Sequence, residues 1–355
     1  MKYHKTKILI IQVLFSIIPS LLQAGHSQSK STGSEKERNE FSLAKKAAKK
    51  GSREDQHQLG KLYYNGQGVE KNYKEAFKCF KNAADQGFDK SQYALGTMYE
   101  DGEGVEKDEN KAAAWYLKAA RQDNVHAQVN LGLMYLDSSS ILRDEREGLT
   151  WIRRAVDKED AHAIYILASL YTHGEGVEKN EIEAFKLFKK AATLGHDEAQ
   201  HLVGIRYYFG SIDSGVEEDK REAITWFKKA ADQGHAESQL SLGKLYSCGD
   251  VVEEDKREAF TWFKKAADQG HAGSQFRVGL CYDKGEGVDE NKSMAITWIK
   301  KAADQGHADA EKWLFHEEEI RKINEHLESL GEERERIIED GAKKLSKAML
   351  SAFSK

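Results

Sequence analysis

The stretch TWFKKAADQGHA at residues 225–236 recurs letter for letter at 261–272, and again at 297–308 with Ile299 in place of the phenylalanine. The three copies start 36 residues apart. A fixed period in the range of roughly 20–50 residues marks an array of small stacked units, and it must be settled before any isolated motif is read. Sliding the same frame toward the N-terminus finds four more diverged copies. The frames are 52–87, 88–123, 124–159, 160–195, 196–234, 235–270 and 271–306, and only the fifth is longer, at 39 residues against 36.

Seven copies amount to seven trials of one local structure. A tyrosine three residues after the glycine of an LG dipeptide is present in all of them, at Tyr63, Tyr99, Tyr135, Tyr171, Tyr207, Tyr246 and Tyr282. That glycine is kept in six, with Ala168 the exception. Glycine inside a helix costs about 1 kcal/mol relative to alanine, so its retention predicts that a bulky side chain approaches the backbone there. The expected partner is the large residue of the following helix, at Trp115, Trp151, Trp226, Trp262 and Trp298. That second helix starts at an Asx residue (Asn72, Asp108, Asp144, Asn180, Asp219, Asp255, Asn291), often with Glu three positions later, as in a capping box. It ends at a glycine suited to a left-handed stop, such as Gly87, Gly195 or Gly270. A G-x-G-V loop, as at Gly102–Val105, joins the two helices in most units.

The combination of LGxxY, GxGV, an Asx cap and W(F/Y)xKAAxQG resembles the Sel-like repeat family, relatives of the tetratricopeptide repeat with a longer loop, over residues 52–306. The resemblance implies an all-α fold: an αα-hairpin solenoid, coiled as a right-handed superhelix, that serves as a scaffold for protein partners. It implies no reaction. The proline that commonly closes a tetratricopeptide unit is missing, since Pro19 is the sole proline of the chain.

The 355 residues carry 32% charged side chains and a net charge of −5, with Lys and Arg spread through every repeat. That spread argues against nucleic acid as a partner. Ahead of the repeats, Lys2, Lys5 and Lys7 precede an apolar run from Ile8 to Ile18, followed by Pro19, Ser20 and a cleavage site after Ala24. This order predicts a secretory signal over 1–24, hence a periplasmic or secreted protein. The alternative is an inner-membrane N-terminal anchor, but Ile8 to Leu22 is 15 residues where a span needs about 20. Residues 25–40 read as a flexible polar linker, and 41–51 as a half-repeat cap that supplies a second helix without its first. Residues 307–355 read as a C-terminal cap followed by a charged amphipathic helix. Its stripe runs through Trp313, Ile320, Ile323, Leu327 and Leu330, breaks at Gly331, and resumes from Ile338. Two readings stay open for it: a helix folded back over the open end of the array, or a coiled-coil helix that makes the protein self-associate.

No motif carries chemistry. The GxG loops follow a helix and lack the third glycine of a dinucleotide fingerprint. His196, His235, His271 and His307 occupy one repeat position and so lie a full unit apart, too far to share a metal. The three cysteines, Cys79, Cys248 and Cys281, lack the paired pattern by which some relatives staple every repeat, and Cys248 and Cys281 could bridge only if a loop met a helix. No catalytic residue, metal ligand or cofactor is expected.

A binding surface is easier to argue. The residues three before and one after the LG glycine share a face of each first helix, and first helices line the concave side in this class of superhelix. Down the array that face reads His57 and Lys61, Tyr93 and Thr97, Val129 and Leu133, Tyr165 and Ser169, His201 and Ile205, Leu240 and Lys244, Phe276 and Leu280. Varied letters on a fixed frame suggest recognition of a protein or peptide; the competing reading is packing against the adjacent first helix. A glutamine one position earlier in six units (Gln56, Gln92, Gln128, Gln200, Gln239, Gln275) suggests an inter-helix hydrogen-bond ladder. The third unit, with Ser138–Ser140 for GxG, and the fifth, with an insertion near Ser211–Ser214, depart from the pattern. The functional expectation is a non-catalytic interaction scaffold or adaptor of the bacterial envelope or secreted space. Its rival is a cell-wall hydrolase or a peptidoglycan- or antibiotic-binding protein, which would need a convergent polar constellation in the concavity.

Overall fold

A computed structural model describes residues 34–137 and 139–352. The expected signal sequence, 1–24, and residues 25–33 of the expected linker lie outside the described residues. Sixteen helices follow one another, and among the described residues the sole β feature is an isolated bridge between Ser211 and Val216. The chain divides after Ala223 into two compact units. The first holds α1 (Glu35–Ala48), α2 (Arg53–Asn65), α3 (Tyr73–Asp85), α4 (Asp89–Asp101), α5 (Glu109–Ala120), α6 (Val125–Leu136), α7 (Glu145–Val156), α8 (Ala161–His173), α9 (Glu181–Thr193) and α10 (Asp197–Phe209). The second holds most of α11 (Lys220–Asp232), then α12 (Ala236–Cys248), α13 (Lys256–Asp268), α14 (Ala272–Lys284), α15 (Lys292–Ala303) and α16 (Ala308–Ala352). From α1 to α10, and again from α12 to α16, each helix packs on the next in sequence, the contact order of an all-α solenoid.

The hairpin closes as expected in kind but one residue away. A Cβ placed on Gly60 would stand 2.6 Å from the Phe80 ring, and one on Gly132 would stand 2.8 Å from Ile152 Cδ1; Tyr116, Phe263 and Ile299 crowd Gly96, Gly243 and Gly279 in the same way. The bulky partner of the glycine is therefore the residue after the tryptophan. It shares a face with small neighbours at helical spacing, as Ala76, Phe80 and Ala83 show, all buried.

The tryptophan turns instead toward the preceding repeat. Trp151 packs with Ala112, Tyr116 and Ala119 of α5 and Leu131 of α6, and Trp298 packs with Ala259 and Phe263 of α13 and Val278 of α14. A cation three residues on covers its outer face, with Lys265 Nζ 3.8 Å from the Trp262 ring centroid and Lys301 Nζ 4.1 Å from that of Trp298. The indole N–H of Trp151 donates to Glu147 at 2.9 Å, and that of Trp262 donates to Glu258 at 2.9 Å.

The invariant tyrosine is a second inter-repeat contact. Its ring meets a phenylalanine of the preceding second helix edge-on: Phe77–Tyr99 at 5.6 Å, Phe185–Tyr207 at 5.8 Å and Phe260–Tyr282 at 5.5 Å. Its carbonyl accepts the N–H of the Asx cap of its own hairpin, as in Asn72 to Tyr63 at 2.9 Å and Asn291 to Tyr282 at 2.8 Å. The second glycine of the GxG loop permits a third contact. A Cβ on Gly104, whose φ is +71°, would stand 2.5 Å from the Tyr73 carbonyl oxygen, so backbone meets backbone between repeats. In the third unit Ser140 takes that place, and its hydroxyl bonds the Glu109 carboxylate.

Helix α1 starts six residues before the expected boundary at 41, so residues 35–40 are helical and not linker. Ser34 and Glu37 form a capping box, with the Glu37 N–H donating to Ser34 Oγ at 3.3 Å and the Ser34 N–H donating to Glu37 at 2.7 Å. The helix occupies the second-helix position, because Phe41 meets Tyr63 edge-on at 5.1 Å as Phe77 meets Tyr99.

The C-terminal segment departs further. Helix α16 runs unbroken for 45 residues through Gly331. A single glycine costs about 1 kcal/mol, too little to end a helix flanked by strong helix formers. Only its first turns pack on α15, through Ala310, Trp313 and Leu314, and Lys292 ties Glu317 at 3.3 Å. Beyond them it does not fold back: Ile320, Ile323, Leu327, Leu330 and Ile337 are all exposed. No helix of the described residues is long and apolar enough to cross a membrane.

Candidate partner-binding face

The glutamine ladder is built from two hydrogen bonds per rung. The first-helix glutamine donates to the last turn of the preceding second helix: Gln92 to Ala84 O at 3.2 Å, Gln128 to Ala120 O at 3.1 Å, Gln200 to Ala192 O at 3.0 Å. Its own carbonyl accepts from the glutamine at the end of the second helix of its unit, as in Gln86 to Gln56 at 2.8 Å, Gln122 to Gln92 at 2.7 Å and Gln305 to Gln275 at 2.8 Å. The fourth unit replaces both members by apolar residues, Ile164 and Leu194. The third keeps Gln128 but carries Lys158 opposite, and Gln128 Oε1 is buried without a partner.

Above the ladder sits the residue that begins each first helix. His196, His235, His271 and His307 are N-caps, whose Nδ1 accepts an N–H of the first turn at 3.2, 3.2, 3.1 and 3.3 Å. Ser52, Asn124 and Asp160 do the same in earlier units. An accepting Nδ1 leaves the proton on Nε2, which in His271 reaches Glu237 of the preceding repeat at 2.9 Å and in His196 reaches His162 Nδ1 at 3.3 Å. Burial, with His162 beside it, holds the His196 pKa down at about 4. Among the described residues no three His, Cys, Asp or Glu side chains gather as a metal site needs. All three cysteines are free thiols, and burial raises those of Cys79 and Cys281 to about 11.

The eight residues expected on the binding face divide. Val129, His201 and Leu240 are buried. His57, Tyr93, Leu133, Tyr165 and Phe276 are half-buried and lean on the neighbouring repeat. His57 lies 5.2 Å from the Phe88 ring and bonds Ser91 at 2.8 Å; burial, then Lys61 and Lys90, bring its pKa to about 4. Tyr93 lies 5.7 Å from Tyr116 and 5.8 Å from His126, Tyr165 stacks on His196 at 4.4 Å, and Phe276 meets His307 at 4.9 Å. These side chains spend most of their surface on repeat-to-repeat packing. Of the expected face, Lys61 and Lys244 are exposed, and the open ridge continues at the equivalents of Glu54 and Asn65, such as Lys90, Asp101 and His173; the equivalents of Gln58 are exposed at the two ends, Gln58 and Arg277, and buried at Ile166.

One unit adds polar chemistry to this face. Tyr116 is the sole tyrosine in a position otherwise Phe or Ile, and its hydroxyl donates to Glu100 at 2.5 Å while accepting from Asn130 of the next repeat at 3.2 Å. Burial raises the Glu100 carboxyl above its ordinary pKa, and the tyrosine bond opposes that shift. Tyr64 of the first unit donates to Glu103 of the second at 2.5 Å, across the preceding junction. In the fifth unit the insertion forms a short turn closed by Ser211 and Val216, with Phe209 and Ile212 exposed, Ile212 at 98%.

A hairpin of this size, repeated with the same three stitches, defines the class: an αα solenoid of short helical repeats. The Sel1 repeat family model matches seven consecutive segments, 54–88, 89–124, 125–160, 161–196, 197–235, 236–271 and 272–307. The chain belongs to the Sel1 repeat family. A Sel1 repeat protein from Oxalobacter formigenes is 35% identical with a TM-score of 0.64, over 78% of this chain and 80% of that one. The uropathogenic Escherichia coli protein c5321, described as a protective antigen with an SLR fold, is 30% identical over 77% of this chain and 66% of that one, with a TM-score of 0.48. The cysteine-rich protein B of Helicobacter pylori is 24% identical over 38% of this chain and 94% of that one, with a TM-score of 0.30. No curated protein matches the sequence.

Proposed function

We propose that this protein is a non-catalytic scaffold, exported across a bacterial inner membrane, that holds a polypeptide partner on the ridge of its first helices. One observation carries the reading. The second helices and turns resemble one another closely, whereas the exposed residue five past the LG glycine changes from unit to unit, from Asn65 to Asp101 to His173 to Phe209. A frame held constant while one accessible face varies is what selective recognition needs, and packing alone does not ask for that variation. The half-buried Glu100–Tyr116–Asn130 network gives the second repeat a fixed acceptor for a cationic side chain of such a partner. Export rests on the order of Lys2–Lys7, the apolar run and Ala24. Helix α16 offers a second contact element, for self-association, separate from the ridge.

The test is co-purification with a triple variant, Lys61→Glu, Lys90→Glu and Asp101→Lys, at exposed positions that leave the core intact. The wild-type protein captures a defined partner and the variant, melting at the same temperature, loses it. A variant that retains every captured protein contradicts the ridge. A mature mass that still includes residues 1–24 contradicts export by a cleaved signal.

A further inference from the structure

Beyond its first turns α16 packs on no other helix among the described residues, and most of its exposed apolar residues keep a three-and-four spacing, with Ile338 beside the stripe. Ile320, Ile323, Leu327 and Leu330 alternate as the a and d positions of a heptad, Arg334 holds the next a, and Ile337 the next d. Their exposures run from 47% for Leu330 to 67% for Ile337, and the stripe covers 18 residues, about 26 Å of helix from first to last at ~1.5 Å per residue. A seam of this period fits another helix with the same period better than the irregular surface of a globular protein.

We infer that the occupant is α16 of a second copy of this chain, running antiparallel, and this deepens the self-association part of the proposal above. The charge pattern selects both the copy and the direction. Residues 317–333 contain seven acidic and two basic side chains, a net of −5, whereas 334–347 contain three acidic and five basic ones, a net of +2. A parallel pair sets −5 against −5 and stacks Arg334 on its own copy inside the seam. An antiparallel pair sets each acidic half against the basic half of the other helix. The register follows from the seam: Ile320 opposes Ile337 of the second copy, Leu327 opposes Leu330, and Ile323 opposes Arg334. The last pairing seats the guanidinium within one turn of Glu319 of the other helix, which supplies the anion that a cation at an a position requires. Like charges in a pairing interface disfavour it, and opposite charges set orientation more than strength.

The experiment uses the mature full-length chain. Sedimentation equilibrium gives a monomer–dimer equilibrium, and Leu327→Lys with Leu330→Lys raises the dissociation constant on the order of 100-fold or more. Circular dichroism and the melting temperature of the repeats stay unchanged, since neither leucine touches them. Direction is read by oxidative cross-linking in a Cys248→Ser background. Ile320→Cys chains mixed with Ile337→Cys chains give a disulfide dimer, and Ile320→Cys alone gives none. Added salt weakens the dimer. A monomer at every concentration overturns the pairing, and a disulfide dimer of Ile320→Cys alone, or a dimer strengthened by salt, overturns the antiparallel arrangement. Either failure leaves the ridge reading standing, because that reading is tested by partner capture and not by association state.

Discussion

Replacing Lys158 by glutamine should make the protein more stable. In four other units the equivalent glutamine donates to the first-helix glutamine at 2.7–2.8 Å, namely Gln86, Gln122, Gln269 and Gln305. The third unit has the same turn geometry as the second, with Glu159 at φ 56° and Asp123 at φ 62°. It nevertheless leaves Gln128 Oε1, in a side chain only 1% exposed, without a donor. A buried acceptor left unmatched costs about 1–3 kcal/mol, and supplying the donor recovers most of it. Against this stands the loss of the Lys158–Asp123 pair at 3.0 Å, whose members are 46% and 69% exposed. Such a pair is worth about 0–1 kcal/mol in water. The net expectation is about 1–2 kcal/mol of stabilisation, concentrated at the junction of α6 and α7. Native-state hydrogen exchange reads it locally: amides near residues 156–164 should slow roughly 5- to 30-fold. Lys158→Ala serves as the control for the ion pair and should change little. If Lys158→Gln brings no protection, or brings the same protection when Gln128 is already alanine, the ladder is not a stabilising device and the reasoning fails.

Met294→Glu should stabilise the last repeat by about 1 kcal/mol, because Trp298 Nε1 is buried without a partner where Trp151 and Trp262 reach a glutamate four residues earlier; a calorimetric melt checks it. Glu159→Gly should add about 1 kcal/mol by relieving a left-handed backbone that Gly195, Gly234 and Gly270 adopt without cost elsewhere, read by urea denaturation. The pKa of His57 and of His196 is depressed from 6.5 to about 4 in the fold, so the unfolded chain binds more protons between those values. Their stabilising contribution is complete above about pH 6.5 and is lost as the pH falls toward 4. A melting-temperature profile over that range should flatten in His57→Gln/His196→Asn.

Much of this was legible in the sequence because a repeat shows each constraint several times. The period, the helix–loop–helix unit, the Asx caps and the glutamine ladder all follow from residues that recur. What the period could not resolve was direction. Trp151 and Ile152 are adjacent and both large, and only packing shows that Ile152 closes its own hairpin while Trp151 reaches the previous one. The same one-residue ambiguity, 100° around a helix, put Val129 and Leu240 on the expected binding face although both are buried, and missed the exposed ridge at Gln58 and Arg277. A histidine as N-cap was hidden because the residue types usual there are Ser, Thr, Asp and Asn. At the ends, where no copy exists for comparison, the reading was weakest: α1 starts at a capping box, Ser34 with Glu37, inside a stretch rich in Ser, Lys and Glu, and α16 leaves exposed the apolar stripe that one reading folded back over the array.

The account rests on each repeat being a complete unit that joins its neighbours through the tryptophan, the tyrosine and the glutamine, and this is tested most directly by removing one. Deleting residues 236–271 takes out 36 residues and rejoins His235 to Ala272, a junction already present at His271. Circular dichroism at 222 nm with a thermal melt should show the same helicity per residue and a cooperative transition at a modestly lower temperature. Deleting 254–271, which removes α13 and strands the apolar face of α12, should instead lose helicity and cooperativity. Equal behaviour of the two deletions, or collapse of the whole-repeat deletion, would contradict it.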